Sequence, residues 1–372
     1  MQNNLVLERT IEDRIRDTLK KQGVVMLLGP RQSGKTTLSK KLLRDLKSHS
    51  GYYNCELFEV RQAFQLGTPR LIKELIGDQT LVVFDEAQTI ENIGKVLKVF
   101  HDTYPDIRVI ATGSSSFDLA NKIKEPLTGR AYEFVLPPLS LPELKRAYPI
   151  TKDVFEHLLL YGLYPAVALA RSPKEKIEEL KKIATNYLYK DVFTFESLRN
   201  PKVFEDLLIH LAQSVGSTVS SNALARELGV SQVTVEKYIR LLEQSFVINR
   251  IYSYTTNYAN ELKKSYKIYF YDNGVINVLL NRFDLDFNRG ALFENFFFTE
   301  RLKEGLLATL PPRIHFWRTK AGNEVDFVVM GDGIARAYEC KYNGGSVSFE
   351  TFHKRYPHIT CDVVRARDFI DI

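Results

Sequence analysis

In the first third of the chain, apolar residues fall into short unbroken runs, and the segments between them carry helical spacing. Val24-Val25-Met26-Leu27-Leu28 and Leu81-Val82-Val83-Phe84 lack alternation, the pattern of strands buried on both faces. Further strands are predicted near Gly51–Cys55, over Arg108–Ala111 and over Tyr132–Leu136. An amphipathic helix is predicted over residues 5–22, with Leu5, Ile11, Ile15 and Leu19 on one side. Strands alternating with helices argue for a parallel sheet covered on both faces, and Pro137-Pro138 closes the unit.

From about 141 to 200 the pattern is helical, punctuated by Gly162 and Pro165. In the following segment one short helix ends at Gly229, Ser231 caps a second, and a strand follows over Phe246–Tyr254. Helix, tight turn, helix, strand is the order of a winged helix-turn-helix. The remainder returns to mixed α/β, with a strand at Lys267–Tyr271, a helix through Phe293–Lys303, and strands near 314–318, 325–330 and 335–340. The expected divisions are 1–140, 141–200 (a helical lid or linker), 201–265 and 266–372.

Composition narrows this little. The 372 residues are 44% hydrophobic and 26% charged, as in soluble globular proteins, and are too many for one ordinary core. A net charge of +6 is compatible with nucleic acid without pointing to it. Cys55, Cys340 and Cys361 are scattered, so neither a disulfide framework nor a zinc site follows, and a reducing, cytoplasmic setting is the plain reading. No signal peptide or bilayer-spanning run is expected.

The chemistry lies in two places. Gly29-Pro30-Arg31-Gln32-Ser33-Gly34-Lys35-Thr36-Thr37 follows a buried strand and opens a helix, the context of a phosphate-binding loop. Its backbone N–H groups and the helix N-terminus would wrap the phosphates of ATP. Lys35 would reach the β- and γ-phosphates, and Thr36 would ligate Mg²⁺. Asp85 and Glu86 end a second buried strand, Asp85 to hold the metal shell and Glu86 to activate water. Thr112 or Ser114, at the tip of a third strand, would meet the γ-phosphate or its water; a plain hydrophilic turn is the alternative.

The second place is Glu324-Val325-Asp326, followed by Glu339-Cys340-Lys341. Glu339 and Lys341 share a strand face, and hairpin pairing would set Asp326 beside Glu339. Asp326 and Glu339 would bind Mg²⁺ or Mn²⁺, Lys341 would offset developing charge, and Glu294, on an aromatic helix, would complete the set. The alternative is a hairpin bearing a solvated ion pair.

The first site resembles the AAA+ ATPases, in which the polar strand tip is called sensor 1. There an arginine placed like Arg130, in Leu127-Thr128-Gly129-Arg130, reaches a neighbouring subunit's nucleotide; a surface salt bridge is the other reading. The second site resembles the PD-(D/E)XK nucleases, except that Val325 replaces the usual proline before the aspartate.

End to end, the chain resembles a prokaryotic family that joins an N-terminal AAA domain to a C-terminal domain of unknown function. Matching segments include Phe84-Asp85-Glu86-Ala87-Gln88, Pro138-Leu139-Ser140, Tyr161-Gly162-Leu163-Tyr164-Pro165, Tyr189-Lys190-Asp191-Val192 and Tyr269-Phe270-Tyr271-Asp272-Asn273-Gly274. The resemblance implies a P-loop parallel-sheet domain, ATP hydrolysis, DNA association and ring-like homo-oligomers. Ser231, Gln232, Thr234, Lys237 and Arg240 would face outward from the second helix of the turn toward DNA, against repulsion from Glu236; packing as a lid over the nucleotide or as a subunit contact is the competing reading of this module. The alternative is a non-cleaving nucleotide switch that binds DNA or a protein, in a defence or toxin–antitoxin role.

Overall fold

Val24–Leu28 (β1) and Leu81–Asp85 (β3) are buried at every position, as unbroken apolar runs require. With Ser50–Asn54 (β2), Arg108–Gly113 (β4) and Ala131–Val135 (β5) they form a parallel sheet in the order β2-β3-β4-β1-β5. The computed structural model describes residues 7–46, 49–65, 68–113, 127, 129–185, 200–255, 266–331 and 333–371. Ser114, Thr128 and the segment 189–192 lie outside them. The chain divides into two compact units, Met1–Pro138 and Leu139–Ile372.

In the first unit the parallel register brings the ends of β1, β3 and β4 to one edge, where open α/β sheets bind ligands. The N-terminal helix is Glu12–Thr18, shorter than the predicted 5–22. Ile11, Ile15 and Leu19 are buried as expected. The residues before Ile11 instead carry Arg9 to the phosphate-loop side, where its guanidinium donates to Ser33 O at 2.7 Å and Pro137 O at 2.6 Å. Two charge-assisted bonds outweigh one more helical turn.

In the second unit, the helices Pro201–Gln213, Ser221–Glu227 and Gln232–Gln244 accompany an antiparallel sheet of order β6-β8-β7. Its strands are Thr218–Val219 (β6), Ile248–Tyr252 (β7) and Tyr266–Phe270 (β8). Gly229, at φ +65°, makes the turn between the two short helices, and Ser231 caps the second by accepting from Thr234 N at 3.1 Å.

The long helix Leu285–Leu307 precedes a sheet of order β12-β11-β10-β9. Its strands are Arg313–Arg318 (β9), Glu324–Gly331 (β10), Ile334–Lys341 (β11) and Thr360–Arg365 (β12); β11 and β12 are parallel, the other pairs antiparallel.

Two of the quoted sequence segments interlock. Asp272 caps Asn273–Leu279 through Gly274 N (2.8 Å) and also accepts from Leu163 N (2.6 Å). A Cβ at Gly162 would fall 1.8 Å from Asp272 Oδ1, and that glycine has φ +75°. Asn273 Nδ2 donates to Leu159 O and Leu292 O. These segments join helices, a structural role. No helix among the described residues is long and apolar enough to cross a membrane.

Candidate active site

The loop between β1 and the helix Lys35–Asp45 is shaped by positive φ at Gly29 (+145°), Gln32 (+60°) and Gly34 (+100°). Glycine is required at 29 because a Cβ there would sit 2.3 Å from Leu136 O. Lys35 is buried and donates to Gly29 O at 2.9 Å and Pro30 O at 2.8 Å. Ser33 is buried, Arg31 Nη1 lies 4.0 Å from Glu56, and Thr37 is exposed on the first helical turn.

Asp85 is the hub. Its Oδ2 accepts from Thr36 Oγ1 at 2.8 Å and from Tyr52 OH at 2.5 Å, while Oδ1 accepts from Thr112 Oγ1 at 2.6 Å. Thr112 Oγ1 in turn accepts from Glu86 N at 3.0 Å, so the tips of β3 and β4 are tied together. Glu86 is at φ +54°, and its Oε2 accepts from Gln88 Nε2 at 2.6 Å. The left-handed backbone turns Glu86 off the strand line that Asp85 follows. Burial, with Asp85 and Glu86 nearby, pushes the Cys55 thiol up to about 12, so it is inert.

Oxygen donors only, with hydroxyl and carboxylate in contact at the mouth of a loop rich in positive φ, suit a magnesium nucleotide. Lys35 and the loop amides would hold phosphate, Thr36 and Asp85 the ion. The bound nucleotide supplies the phosphoanhydride bond.

Arg130 stands at the N-terminal end of β5, the opposite end of the sheet from Gly29. Its Nε donates to Asp102 Oδ1 at 3.0 Å. Tyr52 and Arg9 carried no motif; their roles arise from β2 and from the N-terminal segment reaching a loop they do not adjoin in sequence.

The C-terminal residues also gather. Asp326 lies one position beyond the pair Phe327–Tyr338, on the side of Glu339, and its Oδ2 accepts from Cys340 N at 2.8 Å. Lys341 Nζ is 3.0 Å from Glu339. Lys267, from β8, was not foreseen. It is 1% exposed, and its Nζ lies 3.2 Å from Glu294 and 2.5 Å from Glu324. Tyr269 OH donates to the same Glu294 oxygen at 2.5 Å.

Burial, with Glu294 and Glu339 beside it, lifts the Asp326 carboxyl to about 8, against the pull of Lys267. Burial also raises Glu294, opposed by Lys267 and Tyr269. Burial opposes the charge on Lys267, but Glu294, Asp326 and Glu324 together hold it above its ordinary value. Among the described residues, no three acids, histidines or cysteines converge as ligands for a metal ion. Lys267, Tyr269 and the Cys340 amide take oxygens of Glu294, Glu324 and Asp326, while Glu339 Oε2 is buried with no hydrogen-bond partner, so one orphaned carboxylate oxygen, and not a full ligand set, is left for the expected second Mg²⁺ or Mn²⁺.

On the helix Gln232–Gln244, Ser231, Gln232, Lys237 and Arg240 are exposed, and Thr234 is partly so. Glu236 is turned inward, bonded to Ser221 and to Arg250 Nη1 at 2.7 Å. Arg250 is held also by Glu243 at 2.7 Å.

Residues 21–145 match the family described as "AAA domain", residues 152–286 a "Domain of unknown function (DUF8612)" and residues 289–368 a "Domain of unknown function (DUF4143)". An uncharacterized protein of Mycobacterium tuberculosis is 29% identical over 344 residues, covering 91% of this chain and 74% of that one. Another, from Methanocaldococcus jannaschii, is 24% identical over 373 residues, covering 92% and 81%. A Walker-type ATPase of Pyrococcus abyssi shares the fold at a TM-score of 0.54 and 19% identity, over 75% of this chain and 97% of that chain. Residues 21–145 thus match an AAA domain, and the chain shares its fold with a Walker-type ATPase.

Proposed function

We propose that the protein is an ATP hydrolase whose nucleotide state controls how its second unit engages DNA, without cutting it. The observation that carries the first half is the contact of Thr36 with Asp85 at the mouth of the loop. Lys35 neutralises phosphate charge, Thr36 and Asp85 position Mg²⁺, and Glu86 polarises the attacking water. Ser114 is assigned to the γ-phosphate by its place after β4. Arg130 acts on the nucleotide of a neighbouring copy in a ring-like assembly, released from Asp102.

The DNA half is supported by the helix Gln232–Gln244. Glu236, the acid that would repel phosphate, is spent on Arg250, which leaves Lys237 and Arg240 outward. Residues 266–372 are read as a nuclease-like scaffold: a helix, three antiparallel strands and a parallel fourth, bearing Asp326, Glu339 and Lys341 on adjacent strands. The pairing of Lys267 with Glu294 and Glu324 is what favours binding over cleavage.

Phosphate release and fluorescence-anisotropy titration of duplex DNA, with ATP and with ADP, test the proposal. Lys35→Ala should abolish hydrolysis and make DNA affinity independent of nucleotide. Equal affinity in both states for the unaltered protein would refute the switch, and plasmid cleavage with Mn²⁺ that is lost in Asp326→Asn would refute the non-cutting reading.

A further inference from the structure

The acids of the C-terminal cluster come from three elements: Glu294 from the long helix, Glu324 and Asp326 from β10, and Glu339 from β11. One cation, Lys341, stands beside Glu339 on β11, partly exposed; the buried one comes from elsewhere. Lys267 belongs to β8, the central strand of the sheet that accompanies the helix-turn-helix. Its ammonium is almost wholly buried, 3.2 Å from Glu294 and 2.5 Å from Glu324, and 5.6 Å from the Phe316 ring centroid on β9. A second group from the same strand, Tyr269 OH, takes the same Glu294 oxygen, and Tyr269 stacks on Phe298 at 4.6 Å.

The other Glu294 oxygen faces Gly216, where a Cβ would come within 3.0 Å. The two sheets are also joined along the backbone, with Tyr254 N donating to Phe316 O at 2.6 Å.

We infer that Lys267 is the resident cation of this cluster, and that the cluster is an ionic junction fastening the helix-turn-helix sheet to the C-terminal sheet. A buried lysine is stable only where acids surround it, and buried acids likewise need a cation. Each module therefore carries a charge that folding apart would leave unpaired. In this arrangement the ammonium balances Glu294 and Glu324, and it does so as part of the chain. A lysine fixed in a strand cannot be exchanged, so the junction is permanent where a metal site would depend on supply.

Two measurements on the full chain test this. Mn²⁺ titration without nucleotide, followed by electron paramagnetic resonance, should show no bound equivalent that disappears in Asp326→Asn. Such an equivalent in the unaltered protein would overturn the inference. Thermal unfolding should show a clear loss for Lys267→Gln and a smaller one for Glu324→Gln, with the double variant little worse than Lys267→Gln alone. Strictly additive losses would overturn it as well. If Lys267→Gln fails to fold, the milder Glu324→Gln still decides: it should lower the midpoint in Mn²⁺ and in a chelator alike, and a loss seen only in the chelator would restore the metal reading.

Discussion

Arg9 shows how one side chain can set a loop it does not belong to. Both of its described bonds end on backbone oxygens, Ser33 O and Pro137 O, which Lys cannot bridge with a single ammonium in the same way. Arg9→Ala should therefore weaken ATP binding by about tenfold, the loss of roughly one charge-assisted bond, and Arg9→Lys should recover little. Isothermal titration with a non-hydrolysable nucleotide measures it.

Asp272 gives a pH test. Burial raises its carboxyl from 3.8 to about 6, against the bonds from Leu163 N and Gly274 N. The folded-state value lies above the unfolded one, so its stabilising contribution is complete below about pH 4 and is lost as pH rises through 6, an effect on the order of 3 kcal/mol. The gap in unfolding midpoint between the unaltered protein and Asp272→Asn should accordingly shift against the unaltered protein between pH 4 and 7.

Lys35, Thr36 and Asp85 were legible because their spacing along strand, loop and helix is local. Arg9, Tyr52 and Lys267 were not, since each reaches its partners from an element far away in sequence, and no periodicity records that.

At the scale of elements, strands buried on both faces were the clearest to read: β1 and β3 are short apolar runs, each followed by the residues of the nucleotide site. The N-terminal helix was overdrawn because apolar spacing continues past the point where Arg9 leaves the helical path. In the helix Gln232–Gln244 the sequence exposes Lys237 and Arg240 correctly but cannot tell that Glu236 is withdrawn.

That withdrawal has a measurable sign. Glu236→Gln should lower the unfolding midpoint, through Arg250, and leave DNA affinity nearly unchanged. Lys237→Glu with Arg240→Glu should instead leave the midpoint nearly unchanged and weaken DNA binding, reducing the slope of log affinity against log salt by about one to two. Anisotropy titrations across a salt series separate the two.

For the whole molecule, the question is whether one copy completes another's site. Arg130 stands across its own sheet from its own loop, so a role in hydrolysis requires a neighbour. Mixing Lys35→Ala with Arg130→Ala should then restore part of the ATPase activity that each lacks alone. No recovery at any protein concentration would return Arg130 to its salt bridge with Asp102.

The brace made by Arg9 also bears on the outermost end of the chain. A preparation trimmed by proteolysis just after Arg9 would keep every residue of the phosphate loop, the whole sheet and the helix Glu12–Thr18. It would nevertheless lose the tie between Ser33 and Pro137. Such a protein would look intact by gel electrophoresis and by circular dichroism while holding nucleotide poorly, so the integrity of those few residues belongs among the first things to verify before any activity is judged absent.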